Sequence, residues 1–154
     1  MNDKFKPYVE SLEPSLQRLK AMAPVKATDL PKSMPKEGIY LFSKGEVHLY
    51  VGRTGRLRQR IHEHCKPSSM HNSAPFALFL ALEKTGRTAR SYKKEGSRSA
   101  LVTEPAVREA FILAKTDIRT MDLRWVEETD SLRQALLEIY VSVVLGTLND
   151  FANH

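Results

Sequence analysis

"GIYLFSKGEVHLYVGRTGRLRQRIHEH", residues 38–64, sets two short apolar runs directly before a helix-like segment. Ile39 to Ser43 and Val47 to Gly52 are rich in β-branched and aromatic residues, with Lys44-Gly45 between them, the pattern of a β-hairpin. Gly55 to Cys65 then reads as a helix with Leu57 and Ile61 facing inward. Arg60 and His64 are four apart, so their side chains lie over one another on one helix face, and Arg56 extends that row by a turn. An ordinary core does not require two tyrosines, an arginine and a histidine gathered so closely.

The hairpin register decides where the tyrosines go. A two-residue loop would pair Tyr40 with Leu49 and send Tyr40 and Tyr50 to opposite faces. A three-residue loop, Lys44 to Glu46, or a wider opening at the same register, pairs Tyr40 with Tyr50. One residue of slip exchanges the faces.

Working outward, residues 5–22 form an amphipathic pattern, with Tyr8, Val9, Leu12, Leu16, Leu19 and Met22 near one stripe and Pro14 as a place for the helix to divide. Pro24, Pro31 and Pro35 mark residues 23–37 as a loop. Residues 75–83 read as a helix with Pro75 in the first turn, where its missing N–H is harmless. Residues 84–99 carry six basic residues and one acid with no apolar period, which reads as a flexible or hairpin-like insertion. Glu104 to Lys115 is a helix bearing Val107, Phe111, Ile112 and Leu113, and Asp122 to Val126 is a strand containing the sole tryptophan, Trp125. Ser131 to Leu145 is the clearest helix. Ser131 and Gln134 suggest a capping box, and Leu132, Ala135, Leu136, Ile139 and Val143 a buried stripe with Glu138 at its edge.

A chain of 154 residues has room for a substantial core, and 42% apolar with 27% charged residues argues against wholesale disorder. Its net charge of +6 favours a polyanionic partner, since phosphate contacts gain affinity by releasing counterions. The lone Cys65 excludes an intrachain disulfide framework and fits a reducing compartment. No apolar run follows the N-terminus as in a secretory signal, and Ala135 to Leu148, interrupted by Glu138, is too short to span a bilayer. A cytoplasmic protein with no membrane association is expected. His62, His64, Cys65 and His71 do not assemble a zinc set, because His62 and His64 point in different directions on a helix and no second CxxC-type pair exists.

These features resemble the GIY-YIG endonucleases. Gly38-Ile39-Tyr40 matches the first signature triplet, and Tyr50-Val51-Gly52 is similar to a common variant of the second. "GRTGRLRQRIHEH" fits the pattern that follows, with Gly52, Thr54, Leu57, Arg60 and then His64. Glu138 sits on a late helix where that family carries a metal-binding glutamate, and Asn149, in "GTLND", falls where an asparagine often closes the domain.

The resemblance covers about residues 35–152. It implies an α+β fold, a small three-stranded mixed sheet flanked by helices, over a nuclease-like region 35–154 containing the basic insertion. Residues 1–34 are an N-terminal helical extension within one compact domain. The implied activity is hydrolysis of DNA phosphodiester bonds with Mg2+ or Mn2+. Tyr40 would be the candidate base, made more acidic by Arg60 and Arg53. Arg60 would hold the scissile phosphate, Tyr50 and His64 would bond the phosphate or relay the proton, and Glu138 would hold the metal. Gly52, Arg53, Arg56 and Asn149 would line the substrate, with Gly52 leaving room for its backbone. These roles require Tyr40 and Tyr50 on one face, so the register pairing them is expected and the two-residue turn is rejected. Cutting both strands would need a homodimer or two visits. The competing function is a catalytically inactive nucleic-acid-binding module of the same fold, which has no use for Glu138. A third is a basic interaction domain whose tyrosines are core.

Overall fold

The computed structural model describes residues 1–87 and 97–149. Along the chain run α1 (Lys6–Glu10), α2 (Leu12–Ala21), β1 (Gly38–Lys44), β2 (Val47–Thr54), α3 (Leu57–Cys65), α4 (Pro75–Thr85), α5 (Arg98–Leu101), α6 (Pro105–Ile118), β3 (Asp122–Glu127), α7 (Ser131–Leu145) and β4 (Leu148–Asn149). They belong to two compact units, Met1–Arg60 with Met121–His154, and Ile61–Thr120. The fold is α+β.

In the first unit the strand order is β3-β1-β2-β4. The three longer strands pair antiparallel with one another, and among the described residues only β4, parallel to β2 at Tyr50 and Val51, makes the sheet mixed. Gly38 opens β1 because a Cβ there would collide with the Val126 carbonyl, so a side chain would push β1 off β3.

The hairpin closes differently from expectation. Lys44 pairs with Val47, so the turn is the two residues Gly45-Glu46, and Gly45 takes φ +60°, the left-handed conformation that a tight hairpin turn favours. The register then shifts between Phe42 and Ser43: Ser43 faces His48 but Phe42 faces Tyr50, leaving Leu49 as the extra residue of a bulge. Tyr40 therefore pairs with Gly52, not Tyr50. The tyrosines still share a face, because Tyr40 and Phe42 are two apart on β1 and Tyr50 lies opposite Phe42.

The other face of the sheet carries Ile39, Leu41, Val51 and Val126. These pack with Leu16 and Leu19 of α2 and Leu137 and Val141 of α7 in one apolar cluster. Each such side chain contributes roughly 1.5–3 kcal/mol on burial. The N-terminal pattern does divide in two, at Ser11, so that Pro14 falls in the first turn of α2, where it costs no intrahelical hydrogen bond. Arg133 stacks over the Tyr8 ring at 5.1 Å, and the Tyr140 hydroxyl donates to Glu13, tying α7 to these helices.

Helix α7 buries a different stripe from the expected one. Gln134, Leu137, Glu138, Val141 and Ser142 are buried, while Leu132, Ile139 and Val143 are exposed, Val143 by 75%. Apolar residues occur on both sides of this helix, so periodicity alone does not say which side meets the sheet. Its N-cap is Asp130, whose carboxylate accepts from the Arg133 N–H at 2.9 Å, rather than Ser131; Gln134 instead donates to the Glu128 carbonyl at 2.5 Å.

The second unit is built on α4 against α6, with Phe76, Leu78, Val107, Phe111 and Ile118 buried. Ile112 and Leu113, on the same helix as Val107 and Phe111, are exposed. In their place the helix buries Lys115, whose ammonium donates to the carbonyls of Pro67 at 2.8 Å and Ser69 at 2.7 Å and lies 4.4 Å from the Phe111 ring centroid. The basic insertion is shorter than expected at both ends: Lys84 and Thr85 finish α4, Gly86 caps it in the left-handed conformation, and Arg98 begins α5. The rest of that segment, residues 88–96, lies outside the described residues. Among the described residues, no helix is long and apolar enough to cross a membrane.

Candidate functional site

The carboxyl-terminal end of β2 organises the candidate residues of the first unit. Tyr50, Val51, Gly52 and Arg53 follow one another along this strand, and side-chain alternation sends them to opposite faces. Tyr50 and Gly52 face the aromatic side with Tyr40. Val51 and Arg53 face the side on which α7 packs, Arg53 lying opposite Ile39.

On the aromatic side, the Tyr40 and Tyr50 ring centroids are 6.3 Å apart at 36°, and Phe42 meets Tyr40 edge-on at 5.9 Å. Both tyrosines have no solvent exposure. The Tyr40 phenol lies directly over Gly52, so that a Cβ on Gly52 would fall among its hydroxyl, Cζ and Cε1 atoms. The glycine thus accommodates a ring of the protein itself.

On the other side, Glu138 has no solvent exposure, deeper than the half-buried edge position expected. Arg53 Nε lies 3.0 Å from its Oε2, and 41% of the Arg53 side chain remains exposed. A buried carboxylate needs a compensating cation, and Arg53 provides one. Arg53 was expected to act on Tyr40; the structure directs it to Glu138.

Helix α3 starts under firm constraints. The Leu57 N–H donates to the Lys36 carbonyl at 2.7 Å, the Arg56 N–H to Thr54 Oγ1 at 2.9 Å, and the Arg58 guanidinium to the Pro31 and Lys32 carbonyls. Arg58 is thereby a structural clamp on the loop before β1. Arg56 is exposed and Arg60 half-buried. His64 belongs to the second unit and is fully buried there. Cys65 beside it is buried, which pushes its thiol pKa up and makes it a poor nucleophile. Asn149 pairs through its backbone with Val51.

Of the candidate residues in this unit, only Glu138 carries a carboxylate. Among the described residues no group of three His, Cys, Asp or Glu could encircle a metal. As it stands the Glu138 carboxylate has no solvent exposure and is paired with Arg53, so a hydrated magnesium or manganese ion would reach it only after the site opens. The Glu138–Arg53 pair escaped the sequence reading. Glu138 in an apolar helix was a visible signal, but its partner lies on a distant strand and nothing in the sequence names it.

Comparison with family models, with curated proteins and with solved structures returned no match.

Proposed function

We propose that this protein is a divalent-metal-dependent endonuclease of the GIY-YIG type that hydrolyses phosphodiester bonds of DNA. The observation that carries this reading is Glu138. It is a carboxylate with no solvent exposure, in contact with Arg53 on the strand that also bears Tyr50 and Gly52. Packing alone would favour an apolar residue at this position, facing the sheet between Leu137 and Val141. A bound divalent ion would supply Lewis-acid stabilisation of charge on the phosphate and lower the pKa of a coordinated water.

The protein's own groups support the remaining tasks. Tyr40 is the candidate base, with its phenol positioned over Gly52 and against Tyr50. Arg60, on a helix whose start is anchored by Lys36 and Thr54, is the candidate fork for the scissile phosphate. Arg56, exposed in the first turn before that helix, adds a phosphate contact, and the net charge of +6 suits a polyanionic substrate. The resemblance adds His64 and Asn149 to this set.

A second reading, a nucleic-acid-binding module without turnover, is favoured by the complete burial of Tyr40 and Tyr50. Turnover would require the tyrosine face to open to water and substrate. The deciding experiment is cleavage of labelled single-stranded, duplex and branched DNA with and without Mg2+ or Mn2+, with Arg60→Ala and Glu138→Ala alongside. Metal-dependent cutting lost in both variants is expected. Tight binding without cutting on every substrate would establish the second reading, and neither binding nor cutting would overturn both.

A further inference from the structure

We propose that the outward face of α7 is a self-association surface, on which a second copy of this chain docks its own α7 antiparallel about a two-fold axis. The inference does not rest on the nuclease reading.

Four side chains define the face. Leu132, Leu136, Ile139 and Val143 are four, three and four residues apart, so they fall within an arc of about 60° around the helix. That arc lies opposite Leu137 and Val141, which pack on the sheet. Leu132 is 62% exposed, Ile139 43% and Val143 75%, and Leu136 is half-buried. No charge interrupts them. The charged residues of α7 are engaged elsewhere: Arg133 is half-buried over the Tyr8 ring, and Glu138 is fully buried beside Arg53. The outward side of a surface helix ordinarily carries charged and polar residues, and a contiguous apolar stripe there marks an interaction site.

Two features commit the face to a second copy. The first is charge. With a net charge of +6, two copies repel wherever their cations meet, and an uncharged face is where they approach at least cost. The same lack of cations leaves this face nothing with which to hold phosphate. The second feature is spacing, which reads the same in both directions along the helix. With the axis between Leu136 and Ile139, antiparallel pairing sets Leu132 opposite Val143 of the second copy and Leu136 opposite its Ile139. Every apolar residue of the stripe thus meets another, the self-complementary geometry of a two-fold interface. These are also the facing positions of helices that pack at about 20° on a heptad seam. The antiparallel setting brings the amino-terminal end of each helix, capped by Asp130, beside the carboxyl-terminal end of the other, where the helix dipoles attract. A helix of 15 residues is only about 22 Å long, so this pair buries less than the ~1,200 Å² of a stable interface. The dimer is therefore weak, populated in concentrated protein and absent at the dilution of a denaturation curve.

The test is sedimentation equilibrium of the full chain from about 1 μM to 1 mM. Wild type should pass from monomer to dimer across this range, a result that needs no variant. Val143→Lys, which sets an ammonium against Leu132 of the second copy, should weaken the dimer by about tenfold or more, and Leu132→Glu should do the same. Both positions are exposed, so both variants should fold, which circular dichroism checks. Combining Leu132→Glu with Val143→Lys opposes acid and base at both ends of an antiparallel pair, and opposes like charges in a parallel one. The double variant should bind itself about tenfold more tightly than either single variant. Three results would each overturn the proposal: a wild type monomeric throughout, a Val143→Lys protein that dimerises like wild type, or a double variant no tighter than the single ones. The first would leave the stripe to another partner or to another part of the chain, and the second would move the dimer to another surface.

Discussion

Replacing Gly52 with alanine should lower stability by displacing Tyr40. The added Cβ would meet three atoms of the Tyr40 phenol, the farthest of them, Cε1, at 2.8 Å, well inside van der Waals contact. The ring has little room to retreat, since Tyr40 has no solvent exposure and is held by Phe42 at 5.9 Å and Tyr50 at 6.3 Å. Overpacking of this kind costs about 1–3 kcal/mol, against which alanine recovers only a fraction through reduced freedom of the unfolded chain. For a chain of this size the melting temperature should fall by roughly 2–12 °C. The assay is a double-mutant cycle by urea denaturation, with Gly52→Ala made in the wild type and in Tyr40→Leu. Removing the ring should relieve most of the alanine cost, giving a coupling energy of about 1 kcal/mol or more. A Gly52→Ala protein as stable as wild type, or one with an equal loss in both backgrounds, would refute the claim that this glycine exists to seat Tyr40.

Other outcomes follow from the packing. On α7, Val143→Lys should change stability by less than about 0.5 kcal/mol, whereas Leu137→Ala should cost about 2–5 kcal/mol; the reverse order in denaturation curves would return the buried stripe to the side containing Val143. Lys115→Met keeps the volume but strands two carbonyls that the ammonium now satisfies, and should cost about 2 kcal/mol. A stable Lys115→Met protein in thermal melts would show that water replaces the ammonium freely. Asp130→Ala removes the cap on α7 and should cost about 1 kcal/mol in the same measurement, with Ser131→Ala near neutral.

The pH response of His48 has a definite sign. Burial first, and the charge of Arg124 second, hold its pKa below the ordinary histidine value, with Ser43 Oγ 2.7 Å from Nδ1. Unfolded chains therefore bind the proton before folded ones do. Stability from this group is complete above the ordinary value of about 6.5 and is lost as pH falls from there through the lowered folded value. Denaturation midpoints across that window should fall less steeply in His48→Gln; an identical slope would remove His48 from the acid response.

The sequence by itself determined the kinds of element and their order, because local periodicity and turn chemistry report on neighbours close along the chain. The hairpin, the three principal strands, the helix after β2 and the late helix are all legible in this way, and so are the unusual residues Tyr40, Tyr50, Arg60 and Glu138. Tertiary structure decided the questions that depend on distant partners. A bulge at Leu49 lets a two-residue turn coexist with tyrosines on one face, because one extra residue restores the alternation that the turn alone would break. The apolar cluster of β1, β2, β3 and α2 selects which side of the doubly apolar α7 is buried, and that choice carries Glu138 inward to Arg53. Periodicity reports an angle around a helix; only the surface opposite it says which angle faces in.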